Sequence, residues 1–197
     1  PTSTKYVFQP LKGPTLPDAP ATREQALAAL LKAVRFFHEE VAHHGGYLWE
    51  YSGDLTLREA EGLVEDGRVW VQPPGTPTMG HLYLDAYQAT GDEYYYAAVE
   101  GVSGALISSQ HSSGGWNYMA DFAGESSLRD WYDTVGANGW RLEEFQHYWG
   151  NATFDDAGTA EASTFLLRLY VEKRDPKYRP PLDRAMFMNQ VLPVLNR

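Results

Sequence analysis

The sequence predicts a mainly α protein built from a repeated pair of helices. Three observations carry that reading: apolar residues recur at helical spacing in successive segments, tight-turn residues separate those segments, and the segments match one another at fixed shifts. The chain has 197 residues, 43% of them hydrophobic, which suits one domain with a sizeable core.

Residues 1–21 form the expected extended arm, because Pro10, Pro14, Pro17 and Pro20 punctuate a stretch without periodicity. The main domain is expected over 22–197. Thr22-x-x-Gln25 has capping-box spacing, and Leu27, Leu30, Leu31, Val34, Phe37 and Val41 continue a helix up to Gly45-Gly46. Residues 47–72 read as irregular, with one extended stretch at Val69-Trp70-Val71. Pro77 suits the first turn of a helix bearing Met79, Leu82, Tyr83, Ala86 and Tyr87. Gly91 stops that helix, and Asp92 caps another bearing Tyr95, Val99, Val102 and Leu106. Residues 117–150 form a long Trp- and Gly-rich excursion; structureless loops of this length are uncommon and often functional. Asp155-Asp156 opens a helix with Ala162, Phe165, Leu166, Leu169 and Tyr170. Asp175-Pro176 breaks it before a last helix over about 182–195.

A shift of 83 residues sets Leu84 on Leu167, Tyr87 on Tyr170, Asp92 on Asp175 and Tyr95 on Tyr178. A shift of 69 sets Gly45-Gly46-Tyr47 on Gly114-Gly115-Trp116. The unit is helix, tight turn, helix, Gly-Gly-aromatic. One such pair cannot bury its own apolar face, so the units stack or close into a ring. A further Gly-Gly-aromatic turn falls due at residue 199, so the chain is expected to end before the ring is complete.

There are no cysteines, which excludes disulfides and thiolate metal sites. No run of about 18 apolar residues exists, so no membrane span is expected. Sixteen Lys and Arg stand against 26 Asp and Glu, and a net charge of −10 argues against a nucleic-acid partner. That charge would also repel an anionic polysaccharide unless a bound cation or a local basic cluster offset it. Aromatics reach 14%. They suit a carbohydrate-handling surface, where flat rings stack on sugars, and equally a core filled with large rings.

The densest polar cluster is Asn151-Ala-Thr-Phe-Asp155-Asp156-Ala-Gly-Thr159-Ala-Glu161. Adjacent carboxylates at a loop-to-helix junction suit a hard cation such as calcium, and they equally suit plain helix capping. His38, His43 and His44 lack the i, i+4 spacing of a helical zinc pair and read as a solvated helix end. His81 and Asp85 lie one helical turn apart and would face a cavity or make a structural hydrogen bond. Trp116, Tyr118 and Trp149 are candidates for sugar stacking or for core packing.

Thr153-Phe154-Asp155-Asp156-Ala157-Gly158-Thr159, followed by Phe165-Leu166-Leu167, resembles the Asp-Asn-x-Ala-Thr…Phe-Leu stretch of family 10 pectate lyases. Pro73–Pro77, Leu84-Asp85-Ala86-Tyr87 with Thr90-Gly91-Asp92, and Ser113-Gly114-Gly115-Trp116 resemble that family in the same order, over about 22–197. The Gly-Gly-Trp and Gly-Asp turns also occur in other α/α-toroid families, so the Asp-Asp-x-x-Thr element discriminates best.

The resemblance implies the N-terminal half of an (α/α)₃ toroid that cleaves polygalacturonate by β-elimination. Calcium bridges enzyme and uronate, and an arginine removes the C5 proton. It places Asp155 and Asp156 at the metal, and Asp156 stands where the family has Asn. Trp116, Tyr118, Trp149, Asp156 and Thr159 become the substrate-binding candidates. None of Arg129, Arg141, Arg168, Arg174, Arg179 or Arg184 sits in the context of the family's base, which is expected outside this chain. The expected partners are an anionic uronate polysaccharide and a second chain or longer parent carrying the other half, in a secreted or periplasmic setting. The alternatives are a toroid sugar hydrolase or epimerase, which would gain from His81 and Asp85 facing a cavity beside Asp155, and a non-catalytic carbohydrate-binding subunit.

Overall fold

A computed structural model describes residues 20–64, 67–124, 129–130, 133–134 and 152–195, without the side chains of 189–195. Most of the expected arm therefore lies outside the described residues. Residues 1–33 and 34–197 form two compact units. In the first, the capping box opens α1 (Arg23–Arg35). The N–H of Thr22 donates to Gln25 Oε1 (2.9 Å), and the N–H of Gln25 donates to Thr22 Oγ1 (3.2 Å).

The rest of the chain is mainly helical, as the periodicity predicts. Where one continuous helix is expected past Val34, the backbone widens into a π-turn over Phe36–Val41. A short hairpin pairs β1 (Glu50–Tyr51) with β2 (Arg58–Glu59). β3 (Arg68–Trp70) pairs antiparallel with β4 (Met119–Asp121), Val69 opposite Ala120. Among the described residues, two helix pairs follow: α2 (Thr76–Thr90) with α3 (Glu93–Ser108), and α4 (Gly158–Lys173) with α5 (Arg179–Leu195).

The pairs repeat atom for atom at the 83-residue shift. Gly91 ends α2 in the left-handed region and donates its N–H to Tyr87 O; Arg174 does the same to Tyr170 O after α4 (both 2.7 Å). Asp92 accepts the N–H of Tyr94 (2.9 Å), and Asp175 accepts that of Lys177 (3.0 Å). Val99, Val102 and Ala105 are buried, and so are their counterparts Leu182, Ala185 and Met188.

The Gly-Gly-aromatic turns repeat as closely. Tyr47 donates its N–H to Thr76 Oγ1 (2.9 Å) and accepts from the same hydroxyl at its C=O (3.2 Å). Trp116 makes the same pair with Thr159, at 3.0 and 3.2 Å. A second donor reaches each carbonyl at 2.8 Å: the N–H of Trp70 on Tyr47 and that of Thr153 on Trp116. Gly45 and Gly114 hold φ of +82° and +99°, and a Cβ on either would fall on the backbone carbonyl of Gly101 or Arg184. Gly101 and Arg184 are themselves 83 residues apart. The turn glycines are thus required twice over, by conformation and by contact.

This geometry corrects two expectations. Trp116 and Tyr118 are 0% and 1% exposed, so neither ring can stack on a sugar; both are core residues. Thr159 is also fully buried, its hydroxyl engaged on both sides by the Trp116 backbone, so it does not offer a substrate contact.

Thr159→Val should strand the buried N–H of Trp116 and lower unfolding free energy by about 1–3 kcal/mol in denaturant titration. Gly114→Ala should be far more destabilising than Gly91→Ala. Both positions need positive φ, but a Cβ at Gly91 meets nothing within 4 Å. Thermal unfolding of the two variants side by side checks this.

Candidate functional site

Three connecting segments meet beside the start of α4. The segment after β3 is anchored when the N–H groups of Val71 and Gln72 donate to Tyr118 O (2.7 and 3.2 Å). The segment before α4 is anchored by Thr153 on Trp116 O. Gly158 lies where its Cβ would stand 3.6 Å from Gln72 Cα. β3 and β4 are locked by Arg68, whose Nε donates to Asp121 Oδ2 at 2.7 Å, with both side chains almost wholly buried.

On this frame Asp155 and Asp156 sit exposed in a 3₁₀ turn, Asp155–Ala157. The capping alternative is not realised, since no side chain caps α4. Asp155 instead accepts the phenolic hydrogen of Tyr118 at Oδ2 (2.7 Å) and the N–H of Asp156 at Oδ1 (3.1 Å). Its own N–H donates to Thr153 Oγ1 (3.0 Å). Asp156 and Ala157 both adopt left-handed φ, +48° and +61°. For alanine that conformation costs about 1–2 kcal/mol. Local strain of this kind persists only where the surroundings impose it.

The first repeat holds the same place with neutral groups. Trp49 stands 69 residues before Tyr118, and Gln72 stands 83 before Asp155. Trp49 Nε1 donates to Gln72 O (3.0 Å), and Trp70 Nε1 donates to Gln72 Oε1 (3.0 Å). A cavity of about 370 Å³ opens beside Trp49, lined by uncharged residues that include Phe36, Phe37, Tyr51, Pro74 and Met79. No sequence pattern marks this hollow, because its aromatic rings come from the π-turn and from the stretch between Tyr47 and Tyr51, with Pro74 and Met79 added from around the start of α2. The stacking candidate Trp149 lies outside the described residues.

Asp155 and Asp156 offer hard oxygen donors, the kind calcium takes. Among the described residues, no group of three or more His, Asp or Glu gathers to hold a metal. Two carboxylates fall short of the about six to eight oxygens calcium requires, so substrate, backbone or water would complete the shell.

His81 and Asp85 do not stand alone. Both meet Arg168 across the α2–α4 seam: Arg168 donates to His81 Nδ1 (2.9 Å) and to Asp85 Oδ1. Nδ1 is therefore the acceptor and the ring hydrogen sits on Nε2, which lies 3.4 Å from Glu161 Oε2. Burial, and then the Arg168 charge, hold the His81 pKa below the ordinary histidine value; Glu161 and Asp85 oppose them.

No family model and no curated protein matches this sequence. Among solved structures, the chain is similar to a family 10 polysaccharide lyase from Cellvibrio cellulosa, at 18% identity and a TM-score of 0.49, over 85% of this chain and 50% of that one. The chain thus spans about half the length of that lyase.

The depressed His81 pKa means the unfolded chain takes up this proton first as pH falls. Stability associated with neutral His81 is present above pH about 6.5 and is lost on acidification below it. His81→Gln, which keeps an acceptor for Arg168, should lose less thermal stability between pH 7 and pH 5 than the parent chain. Melting curves at the two pH values check this.

Proposed function

We propose that this chain forms the cation- and substrate-binding wall of a polysaccharide lyase that acts on polyuronates, closest to pectate lyases. The observation that supports this reading most is the Asp155-Asp156 turn. Two exposed carboxylates stand on a strained backbone that Tyr118 and Thr153 brace from below. They occur in the segment whose sequence resembles that of family 10 pectate lyases.

Asp155 and Asp156 are the residues that would hold calcium. Once bound, the ion would neutralise the uronate carboxylate and stabilise the negative charge that develops as the C5 proton leaves. The remaining work belongs to the chain. Tyr118 donates to one carboxylate oxygen of Asp155 and so fixes its orientation. Asp156, in place of the family's Asn, adds a negative charge that strengthens attraction for a cation and repels an unescorted uronate. A bound cation would offset in part the mismatch between a net charge of −10 and an anionic polymer.

This chain supplies no base in the proposal. Arg68 is locked to buried Asp121, Arg168 to Asp85 and His81, Arg179 to Asp183 and Arg184 to Gln110. An arginine acting as base must be held without such partners, since its pKa is otherwise above about 12. The resemblance to family 10 pectate lyases leads us to expect the base outside this sequence, in a second chain or a longer polypeptide. A polymer substrate places the work outside the cell or in the periplasm. The hydrolase or epimerase alternative would gain from His81 and Asp85 beside Asp155; both are instead engaged by Arg168.

Titration calorimetry with oligogalacturonate should show binding to this chain that depends on calcium. Asp155→Asn should weaken it about tenfold or more, as expected for loss of a charged ligand to the ion. With the complete assembly, absorbance of the 4,5-unsaturated product should rise and should vanish with a chelator. No binding with or without calcium would sink the reading.

A further inference from the structure

The hollow beside Trp49 takes, in the first repeat, the place that the Asp155-Asp156 turn takes in the second. Trp49 stands 69 residues before Tyr118, and Pro73-Pro74 stand 83 before Asp156-Ala157. Its walls come from residues 36–79, all within one compact unit. No lining residue carries a charge, in a chain with 26 Asp and Glu. At about 370 Å³ it falls within the range of small-molecule sites, about 300–1,000 Å³.

Two features prepare this hollow for a flat ring. Trp49 is held in place, its Nε1 by Gln72 O (3.0 Å) and its ring by Trp70, edge to face at 5.9 Å between centroids. Trp70 and Trp116 are fully buried, whereas Trp49 is half-buried and keeps part of its ring in reach. Phe36 and Phe37 both line the same hollow. Successive residues of an α-helix do not share a face. Here they start the π-turn, a rare element found frequently at functional sites.

The polar groups of the wall are donors in excess. Tyr51 accepts the N–H of Leu48 at its phenolic oxygen (2.6 Å), and its own hydrogen has no acceptor among the described residues. The hydroxyls of Tyr47 and Tyr83 bond each other (2.7 Å), which uses one hydrogen of their two. Burial raises the pKa of all three phenols, that of Tyr83 to about 12, so they stay protonated donors.

We propose that this hollow binds the ring of a neutral sugar without a metal, the sugar's apolar face on Trp49, Phe36 and Phe37 and one of its oxygens accepting from the Tyr51 hydroxyl. The lining discriminates in two directions. A uronate would bring its carboxylate into a wall with no cation, and burying an unpaired charge is costly. A purely apolar ligand would displace water from the phenols and leave their hydrogens without an acceptor. A neutral sugar meets both conditions, with a C–H face for the rings and oxygens for the donors. The inference does not rest on the lyase reading.

Titration calorimetry on the whole chain, in EDTA, tests this with cellotetraose and β-1,4-galactotetraose as neutral probes. At least one should bind saturably, with a Kd of about 1 mM or tighter. Trigalacturonate and benzyl alcohol should each bind at least about tenfold more weakly in the same buffer. Trp49→Ala and Phe36→Ala should each weaken the sugar about fivefold or more. Phe36 is exposed, so its loss spares the core. Gly53→Trp guards against misfolding as the cause. Gly53 lines the hollow and a Cβ there meets nothing within 4 Å, so the new ring should block the site and leave the melting temperature unchanged. No saturable binding of either neutral probe up to about 10 mM would overturn the proposal. So would sugar binding that survives both Phe36→Ala and Gly53→Trp, or trigalacturonate or benzyl alcohol binding as tightly as the sugars. Because calcium is absent throughout, each result stands whether or not the chain binds polyuronates through the ion.

Discussion

A buried aromatic ring in a tight turn takes its own N–H and C=O into the core, and both must find partners there. In this protein a single threonine hydroxyl answers both groups, twice. Thr76 does so for Tyr47 and Thr159 for Trp116, each from the start of the following helix. The clamp ties the end of one helical segment to the beginning of the next pair. It fixes how close the turn comes to α3 or α5, and this leaves room only for glycine at Gly45 and Gly114. The spare lone pair on each aromatic carbonyl then takes the strand or loop that precedes the helix, through Trp70 or Thr153.

The candidate site follows from that arrangement. Two residues beyond the clamped aromatic the chain presents another ring with a polar tip, Trp49 in one repeat and Tyr118 in the other. The tip holds the turn before the next helix. In the first repeat the group held is the backbone carbonyl of Gln72. In the second it is the carboxylate of Asp155, followed by two successive left-handed residues, Asp156 and Ala157. The repeats share one frame, and the second has placed charge where the first keeps amides. Tyr118 therefore serves the site from the core side, through its hydroxyl, with its ring buried.

Charge is distributed along the seam between the pairs. Asp85, Glu93 and Glu100 of the first pair meet Arg168, Lys173 and Lys177 of the second. These contacts are partly exposed, and such pairs contribute little stability each. Their consistent sign favours one order of docking over its reverse. The largest fully buried side chains, among them Trp70, Tyr83, Phe165 and Leu166, supply the apolar burial that drives packing.

Local chemistry was readable in the sequence. The capping box at Thr22, the Asp92 cap, the αL stop at Gly91, the break at Asp175-Pro176 and the helix-pair repeat all depend on neighbours a few residues apart, or on one pattern written twice. The sequence also marked Asp155 and Asp156 as adjacent carboxylates at a loop-to-helix junction, within its densest polar cluster. Only the tertiary structure decided what each candidate faces. Composition cannot tell a ring that stacks on a sugar from one that fills a core, so the sequence leaves Trp116 and Tyr118 open between the two and offers Thr159 as a substrate contact; all three are interior. The β3–β4 pairing, with its Arg68–Asp121 lock 53 residues apart, and the Tyr118–Asp155 bond, 37 apart, join segments with no sequence pattern in common. Such contacts are set by where the clamped turns place the chain, and a one-dimensional periodicity carries no record of that.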